Sequence, residues 1–426
     1  MLIQFSVENY RSIRDRLTLD MSPAKSQNKK EHIICDDKGK KTEVLPIGIM
    51  YGANASGKSN ILRAVSFAQR CIFFSADSDF SFPMEPYRLD PEYENRPSIF
   101  EFVFKTEGIV YKYGFAITQK AVIEEWLYGY NPRPYVIFER HKKETLKIGT
   151  KVQKKDVLRK SFKFIFEKML LLTLAYTNED KVINPVAKWF NDHLRVLTPD
   201  HIRSNLVEMA RDNKDFLRFL SDWMKQADVG ISNVGLHEQM MTLKDKHKPS
   251  SFNILAEPFV KSLFQTYSAQ EDGSILFSKL VTKHAGVGDK ELVFSPLDES
   301  EGTQKMMHYT AMLYDLKQEP EMTYLVDEFE TSLHPVICEK ILEAFLRLIS
   351  KNNTRGQLIL TTHNTNLLDI KNLRRDEIWF VEKDKSGSSH VTSLAEYRQK
   401  NPNLAIEKRY LQGRYGAIPM LGKIEI

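Results

Sequence analysis

The run Gly52-Ala53-Asn54-Ala55-Ser56-Gly57-Lys58-Ser59 matches G-x-x-x-x-G-K-[ST] in full. These residue types suit the cradling of a polyphosphate. Glycines let backbone N–H groups curl around phosphate oxygens without Cβ clashes, and a following helix N-terminus adds partial positive charge. Lys58 would bridge the β- and γ-phosphates, and the Ser59 hydroxyl would coordinate Mg²⁺. Gly52, Asn54, Ala55, Ser56, Gly57, Lys58, Ser59 and Asn60 are therefore the candidate nucleotide contacts, with ATP and Mg²⁺ as the expected ligands.

Two further groups could complete that chemistry. Thr323-Tyr-Leu-Val-Asp327-Glu328 ends an apolar run in two carboxylates. Alone, such a pair is as often a loop start or a helix cap. Beside a phosphate loop, the first carboxylate is delivered to the Mg²⁺ shell, which makes Asp327 a metal-ligand candidate together with Ser59. Glu328 would then orient or deprotonate an attacking water. Leu358-Ile-Leu-Thr361-Thr362-His363 is a second apolar run, and its histidine stands 35 residues beyond Glu328. That interval has room for a helix and a strand, which suits His363 as a γ-phosphate sensor. Residues 298–305 form a small-residue segment opening a helical run over Met306 to Leu316, a weaker anion-site candidate.

The elements that must position these groups are legible in part. Ile47 to Tyr51 is a short apolar run, read as a strand buried on both faces, and Asn60 to Arg70 follows the loop as an amphipathic helix. Ile3, Phe5 and Val7, then Leu17, Leu19 and Met21, alternate with polar residues as half-buried strands do. Ser22 to Glu43 is polar and reads as a mobile surface loop. Aromatic and β-branched stretches from Ile99 to Phe138 predict an antiparallel meander. Helical spacing over Lys155 to Leu174 and Leu206 to Ala227 predicts a mainly helical insertion. The expected domains are 1–145 (β-rich lobe and phosphate loop), 146–285 (insertion) and 286–426 (second part of the same α/β head).

A length of 426 residues, 42% hydrophobic and 27% charged, excludes a collagen-like or wholly disordered chain. The longest apolar run, Met169 to Tyr176, is far short of the ~20 residues that span a bilayer. No basic leader or apolar h-region opens the sequence, so no membrane association is expected and a cytoplasmic location is. Cys35, Cys71 and Cys338 are widely spaced and suggest neither disulfides nor a zinc site. Net charge is only +5, yet Arg140 to Lys168 holds 11 Lys/Arg against three acidic residues. That stretch reads either as a solvated face or as a nucleic-acid contact, so DNA is a candidate partner.

The order of these motifs resembles that of ABC-type ATPase heads. It is similar to SMC/RecF-like ATPases of the AAA-15 and AAA-21 kind, the OLD-like group. Within that group it looks like the prokaryotic abortive-infection ATPases, RloA- or AbiL-like. FSVENYRSI, DEFETSLHP, TTHNTNLLD and RYLQGRYGAIP carry the likeness, which covers residues 1–140 and 286–426. It implies an α/β fold, an ABC-type P-loop ATPase head with a β-rich first lobe. It also implies Walker A at Gly52, Gly57, Lys58 and Ser59, the Walker B aspartate at Asp327, the catalytic glutamate at Glu328 and the switch histidine at His363. Ser332 falls in the D-loop. Ser300 and Gly302 match the signature motif, which in such heads contacts ATP held by the opposite subunit. Here the motif reads Ser-Glu-Gly-Thr-Gln, with Glu301 where transporters carry glycine. Gln119 is the one candidate for a Q-loop.

The resemblance further implies an ATP hydrolase that forms a homodimer or higher oligomer around ATP. It would serve as sensor or regulator of an anti-phage abortive-infection system, working with a separately encoded nuclease or toxin. Two other functions fit the same head: an ATP-dependent scaffold with little turnover that holds such a partner, and a DNA-repair-type SMC/RecF-like DNA-binding ATPase. A fused nuclease is not expected, because only 63 residues follow His363 and a domain needs roughly 100 or more.

Overall fold

The computed structural model describes residues 1–25, 32–36, 38, 41–77, 82–175, 180–199, 206–241, 264–270, 272, 274–288, 290–319, 321–352, 354–369, 373–397 and 405–419. The chain forms two compact units. The first comprises Met1–Val196, Glu319–Phe329 and Arg347–Ile426, and the second Leu197–Gln318 and Glu330–Leu346. Residues 146–196 therefore belong to the first unit and 286–318 to the second.

The first unit begins with strands β1 (Leu2–Glu8), β2 (Leu17–Asp20), β3 (Ile34–Asp36), β4 (Thr42–Val44) and β5 (Ile47–Tyr51), then helix α1 (Lys58–Phe74). The polar stretch Ser22 to Glu43 was expected to be loop throughout. Its described part instead contains the antiparallel pair β3–β4, in which Ile34 faces Val44. Next come β6 (Ser98–Thr106), β7 (Ile109–Ile117), β8 (Val122–Tyr130), β9 (Pro134–His141) and β10 (Thr145–Ile148). These form the expected meander, and β1 and β2 extend it into a seven-stranded sheet ordered β10-β9-β8-β7-β6-β1-β2. Helices α2 (Lys155–Lys163), α3 (Leu171–Ala175) and α4 (Asn184–Lys188) and strand β11 (Leu194–Leu197) follow.

Aromatic packing fills the space behind that sheet. Trp189 stacks on Phe104 with centroids 4.0 Å apart, and Phe190 meets Phe102 edge-on at 5.0 Å. Such pairs add ~0.5–1.5 kcal/mol beyond area burial. Arg140 and Glu125 lie inside the same region, both fully buried and 3.4 Å apart. Arg140 is thus a structural member of the core, and the basic surface stretch loses its first residue.

The second unit carries α5 (Leu206–Asp212), α6 (Lys214–Gln226), β12 (Ile231–Met241), β13 (Gln265–Ala269), β14 (Ile275–Ala285), β15 (Glu291–Phe294) and α7 (Glu301–Gln318). The expected helix over Leu206 to Ala227 breaks at Asn213, whose side chain accepts N–H bonds from Asp215 and Phe216 and so starts a new helix. Residues 146–285 hold the expected helices and also the antiparallel strands β12, β14 and β13, and β15, from beyond that range, pairs with β14. Phe216, Leu220 and Met224 of α6 pack with Met306, Met307 and Tyr314 of α7 in one buried cluster.

The chain then adds β16 (Thr323–Val326), α8 (Pro335–Asn352), β17 (Gln357–Thr361), β18 (Ile378–Lys383), β19 (Ser389–Ser393) and α9 (Ile406–Leu411). A six-stranded sheet ordered β11-β16-β17-β5-β18-β19 results. Within it β16, β17, β5 and β18 run parallel. Parallel strands with both faces covered read as continuous apolar runs, and every residue of β5, β16 and β17 is buried. Gln357 links this sheet to the other: its side chain accepts from Leu2 N–H at 2.6 Å and donates to the Leu2 and Leu45 carbonyls. The fold is α/β. Among the described residues no helix is long and apolar enough to cross a membrane.

Candidate functional site

Open parallel sheets place ligands beyond the carboxyl ends of their strands. Three adjacent strands deliver candidates there. β5 runs into the phosphate loop, β16 into Asp327 and Glu328, and β17 ends at Thr361 with His363 two residues on. The register is tight, with Val326 opposite Leu360 and Thr361 opposite Met50.

The loop turns into α1 at Gly57, which adopts φ +107°. A Cβ at Gly57 would also lie 2.1 Å from Ser389 Oγ and 2.7 Å from Ser12 Oγ, so glycine is required on both counts. Ala55 has a positive φ as well. The start of α1 has no side-chain cap and no acidic residue in its first turn, which leaves its N–H groups oriented for an anion. Lys58 is 6% exposed, and its ammonium donates to the carbonyls of Gly52 at 2.7 Å and Ala53 at 3.2 Å. Asn54 and Ala55 are exposed at the loop crest, whereas Ser56 is buried beneath it.

Beside the loop lies a hydroxyl–carboxylate cluster. Asp327, 3% exposed, accepts at Oδ1 from Ser59 Oγ at 3.0 Å and from Thr361 Oγ1 at 2.6 Å. Among the described residues no basic side chain pairs with Asp327. A buried carboxylate needs compensating charge, and the hard oxygens of Asp327 and Ser59 suit Mg²⁺, which takes one or two protein ligands and keeps water and phosphate for the rest. Among the described residues no set of three or more His, Cys, Asp or Glu is grouped for a metal, so a metal cage of that kind is not what the site offers. Glu328 stands in the left-handed region at φ +49°, its N–H donating to Thr361 Oγ1 at 2.9 Å. That conformation costs a non-glycine residue of order 1–3 kcal/mol and concentrates at functional sites. His363 is exposed.

Residues that the motifs did not single out also support the loop. Ser389 Oγ donates to the Ser56 carbonyl at 2.7 Å and shares a hydroxyl–hydroxyl hydrogen bond with Ser12 Oγ at 2.8 Å. Asn60 Nδ2 donates to Ser12 Oγ at 2.8 Å. Ser12 comes from the turn after β1, and Ser389 opens β19, next to the turn organised by Asp384. Hydrogen bonds from Ser386 and His390 hold the Asp384 carboxyl well below the usual carboxylate range. Thr361 is the third such residue. Its only sequence signal was its place at the end of an apolar strand.

In the second unit, Ser300 caps α7: its Oγ accepts from Thr303 N–H at 3.2 Å. Glu301 accepts from Ser332 Oγ at 3.0 Å. A Cβ on Gly302 would lie 2.3 Å from the Ser332 carbonyl oxygen. The Ser300-Glu301-Gly302 helix start and Ser332 therefore form one contact set, with Ser300 exposed. Gln119 lies in the exposed turn between β7 and β8. An open cavity of about 640 Å³ lies on the meander, away from the loop. Its charges are paired, Glu101 with Lys112 at 3.0 Å and Glu139 with Lys147 at 2.8 Å.

Three solved structures are similar to the chain at low identity. An SMC head bound to the C-winged helix domain of ScpA shares 15% identity over 96% of this chain and 99% of that chain, with a TM-score of 0.45. The SMC head domain from Thermotoga maritima shares 13% over 92% and 98%, with a TM-score of 0.38. A Smc head with an extended coiled coil, bound to the C-terminal domain of ScpA derived from Pyrococcus furiosus, shares 13% over 97% and 98%, with a TM-score of 0.42. Among curated proteins none matches the chain. The family described as "AAA domain, putative AbiEii toxin, Type IV TA system" matches residues 48–369, well over half of the sequence and all of the strand ends described above. The chain belongs to this family of AAA domains.

Proposed function

We propose that the chain is an ABC-type ATPase head that binds ATP in the first unit, hydrolyses it and dimerises around it. The observation that carries this reading is the cluster of Ser59, Asp327 and Thr361 beside an uncapped phosphate loop, with Glu328 next in line.

Each residue then has a distinct task. The N–H groups at the start of α1 and the Lys58 ammonium bind the phosphates. Ser59 and Asp327 would hold Mg²⁺, which when bound neutralises charge on the β- and γ-phosphates. Thr361 orients both acids, donating to the Asp327 carboxylate and accepting from the Glu328 N–H. Glu328 accepts a proton from the attacking water as its oxygen bonds to the γ-phosphorus. The bond from that phosphorus to the β-bridging oxygen breaks, and ADP and phosphate result. His363 senses the γ-phosphate. The exposed Ser300, with Gly302, contacts ATP held by a second copy.

In the cell this head acts as sensor or regulator of an anti-phage abortive-infection system with a separate nuclease or toxin. The AbiEii toxin and type IV toxin–antitoxin words of the family description support that setting. Sedimentation with Mg-ATP tests the shared site. Glu328→Gln should accumulate as a closed dimer, and adding Ser300→Arg should disperse it, because a long cation crowds the γ-phosphate position. A double variant that dimerises as well as the single one contradicts the two-subunit site.

A further inference from the structure

Helix α2 and the turn after it hold two aromatic rings in solvent beside a row of cations. Phe164 is 78% exposed and Phe166 64%, whereas Ile165 between them is 1% exposed. The alternation is fixed by backbone. Phe164 N–H donates to the Ser161 carbonyl at 3.1 Å, and Val122 N–H at the start of β8 donates to the Glu167 carbonyl at 2.8 Å. The rings are therefore presented from an anchored segment. Burying a phenylalanine is worth ~1.5–3 kcal/mol, so holding two of them outward forgoes a substantial gain. Single exposed apolar residues are ordinary, but two alternating rings within a charged segment are informative.

The surrounding charge has one dominant sign. Residues 151–168 contain seven Lys/Arg against two acidic residues. Leu158 faces inward from α2, while Arg159, Lys160 and Lys163 are exposed. One of these cations is partly neutralised, since Arg159 pairs with Asp156 at 3.0 Å.

We propose that Phe164 and Phe166, with Lys160 and Lys163, bind single-stranded nucleic acid. Cations follow the phosphate backbone, and exposed rings stack on bases that are not paired, a combination recurrent in single-strand binding. A duplex keeps its base faces stacked and leaves the rings without a use. A membrane surface fits less well, because α2 adds only the exposed Val157 and the partly buried Phe162 to the apolar area, while Arg159, Lys160 and Lys163 stand exposed among them. The proposal does not rest on ATP hydrolysis, and its test is read without ATP.

The test is the anisotropy of a labelled oligothymidylate of about 30 nucleotides, longer than common site sizes of ~4–16. The full chain is titrated across several salt concentrations. A duplex of equal length and phosphatidylglycerol–phosphatidylcholine vesicles run in parallel. The oligothymidylate should bind more tightly than the duplex. F164A/F166A should lower its affinity roughly 10-fold or more, from stacking worth ~1–3 kcal/mol per base, with the salt slope unchanged. F164W/F166W should retain affinity, and K160E/K163E should weaken binding and flatten the slope. An unchanged thermal melt in each variant reports an intact fold. No oligothymidylate binding at low salt, equal binding of duplex with F164A/F166A unaffected, or binding to vesicles alone would each overturn the proposal.

Discussion

Two helices of this chain start in opposite ways, although the same physics acts on both. Each presents free N–H groups and about half a positive charge at its N-terminus. At the start of α1 no side chain caps them: Gly57 offers none, no acid stands in the first turn, and Lys58 adds a cation. At the start of α7, Ser300 caps the turn and Glu301 places a carboxylate there. Both starts contain a glycine that lets another segment approach closely, Ser389 and Ser12 at Gly57 and Ser332 at Gly302. The difference teaches that a helix start becomes a phosphate site by what is kept away from it. On this account the α1 start binds phosphate unaided, and the α7 start is satisfied internally and meets ATP only when a second copy brings it.

That contrast can be broken at either end. The largest effect is expected for Lys58→Ala. At ~1.5–3 kcal/mol per charged hydrogen bond, loss of contacts to two phosphates should lower ATP affinity by roughly 10²-fold or more, read by calorimetry. An affinity within a few-fold of wild type contradicts the phosphate-loop assignment. Gly302→Ala comes next. Its Cβ meets backbone rather than a movable side chain, so overpacking should cost about 1–3 kcal/mol of stability in a thermal melt, with ATP affinity at the loop unchanged. Ser389→Ala removes hydrogen bonds that hold the loop from below. At ~1 kcal/mol, ATP affinity should fall several-fold, while Ser389→Thr, which keeps the hydroxyl, restores it if the methyl is accommodated. Glu301→Gln should have the smallest effect. Relieving the anion at the helix start is worth ~0.3–1 kcal/mol, so the ATP-bound dimer should tighten only by a few-fold in sedimentation.

The phosphate loop, the acidic pair and the strands that carry them were legible because each is local. A run such as Ile47 to Tyr51, buried on both faces, announces itself within five residues. The loop's supports were not legible, because Ser12 and Ser389 are small polar residues that meet each other from 377 positions apart in sequence. The sheet of the second unit was hidden for a different reason. β14 buries Ser278 and Thr282 beside Leu280, so its inner face is not apolar, and a register shift between Ile231 and Asn233 breaks the period of β12. Composition also misplaced one cation: Arg140 counts as surface charge until Glu125 is seen opposite it. The exposed Phe164 and Phe166 were equally invisible, because an apolar residue inside a helical pattern reads as core.

The most direct test of the central claim compares Mg-ATP binding with single-turnover hydrolysis for Glu328→Gln. The amide keeps the shape of the side chain and leaves Asp327, Ser59 and Lys58 in place, but it cannot accept the water's proton. General-base contributions run to about 10²–10⁴ in rate. The account predicts Mg-ATP affinity within a few-fold of wild type and hydrolysis slowed by about that factor. Hydrolysis at the wild-type rate would contradict it, because the acid next to Asp327 would then not be the group that activates water.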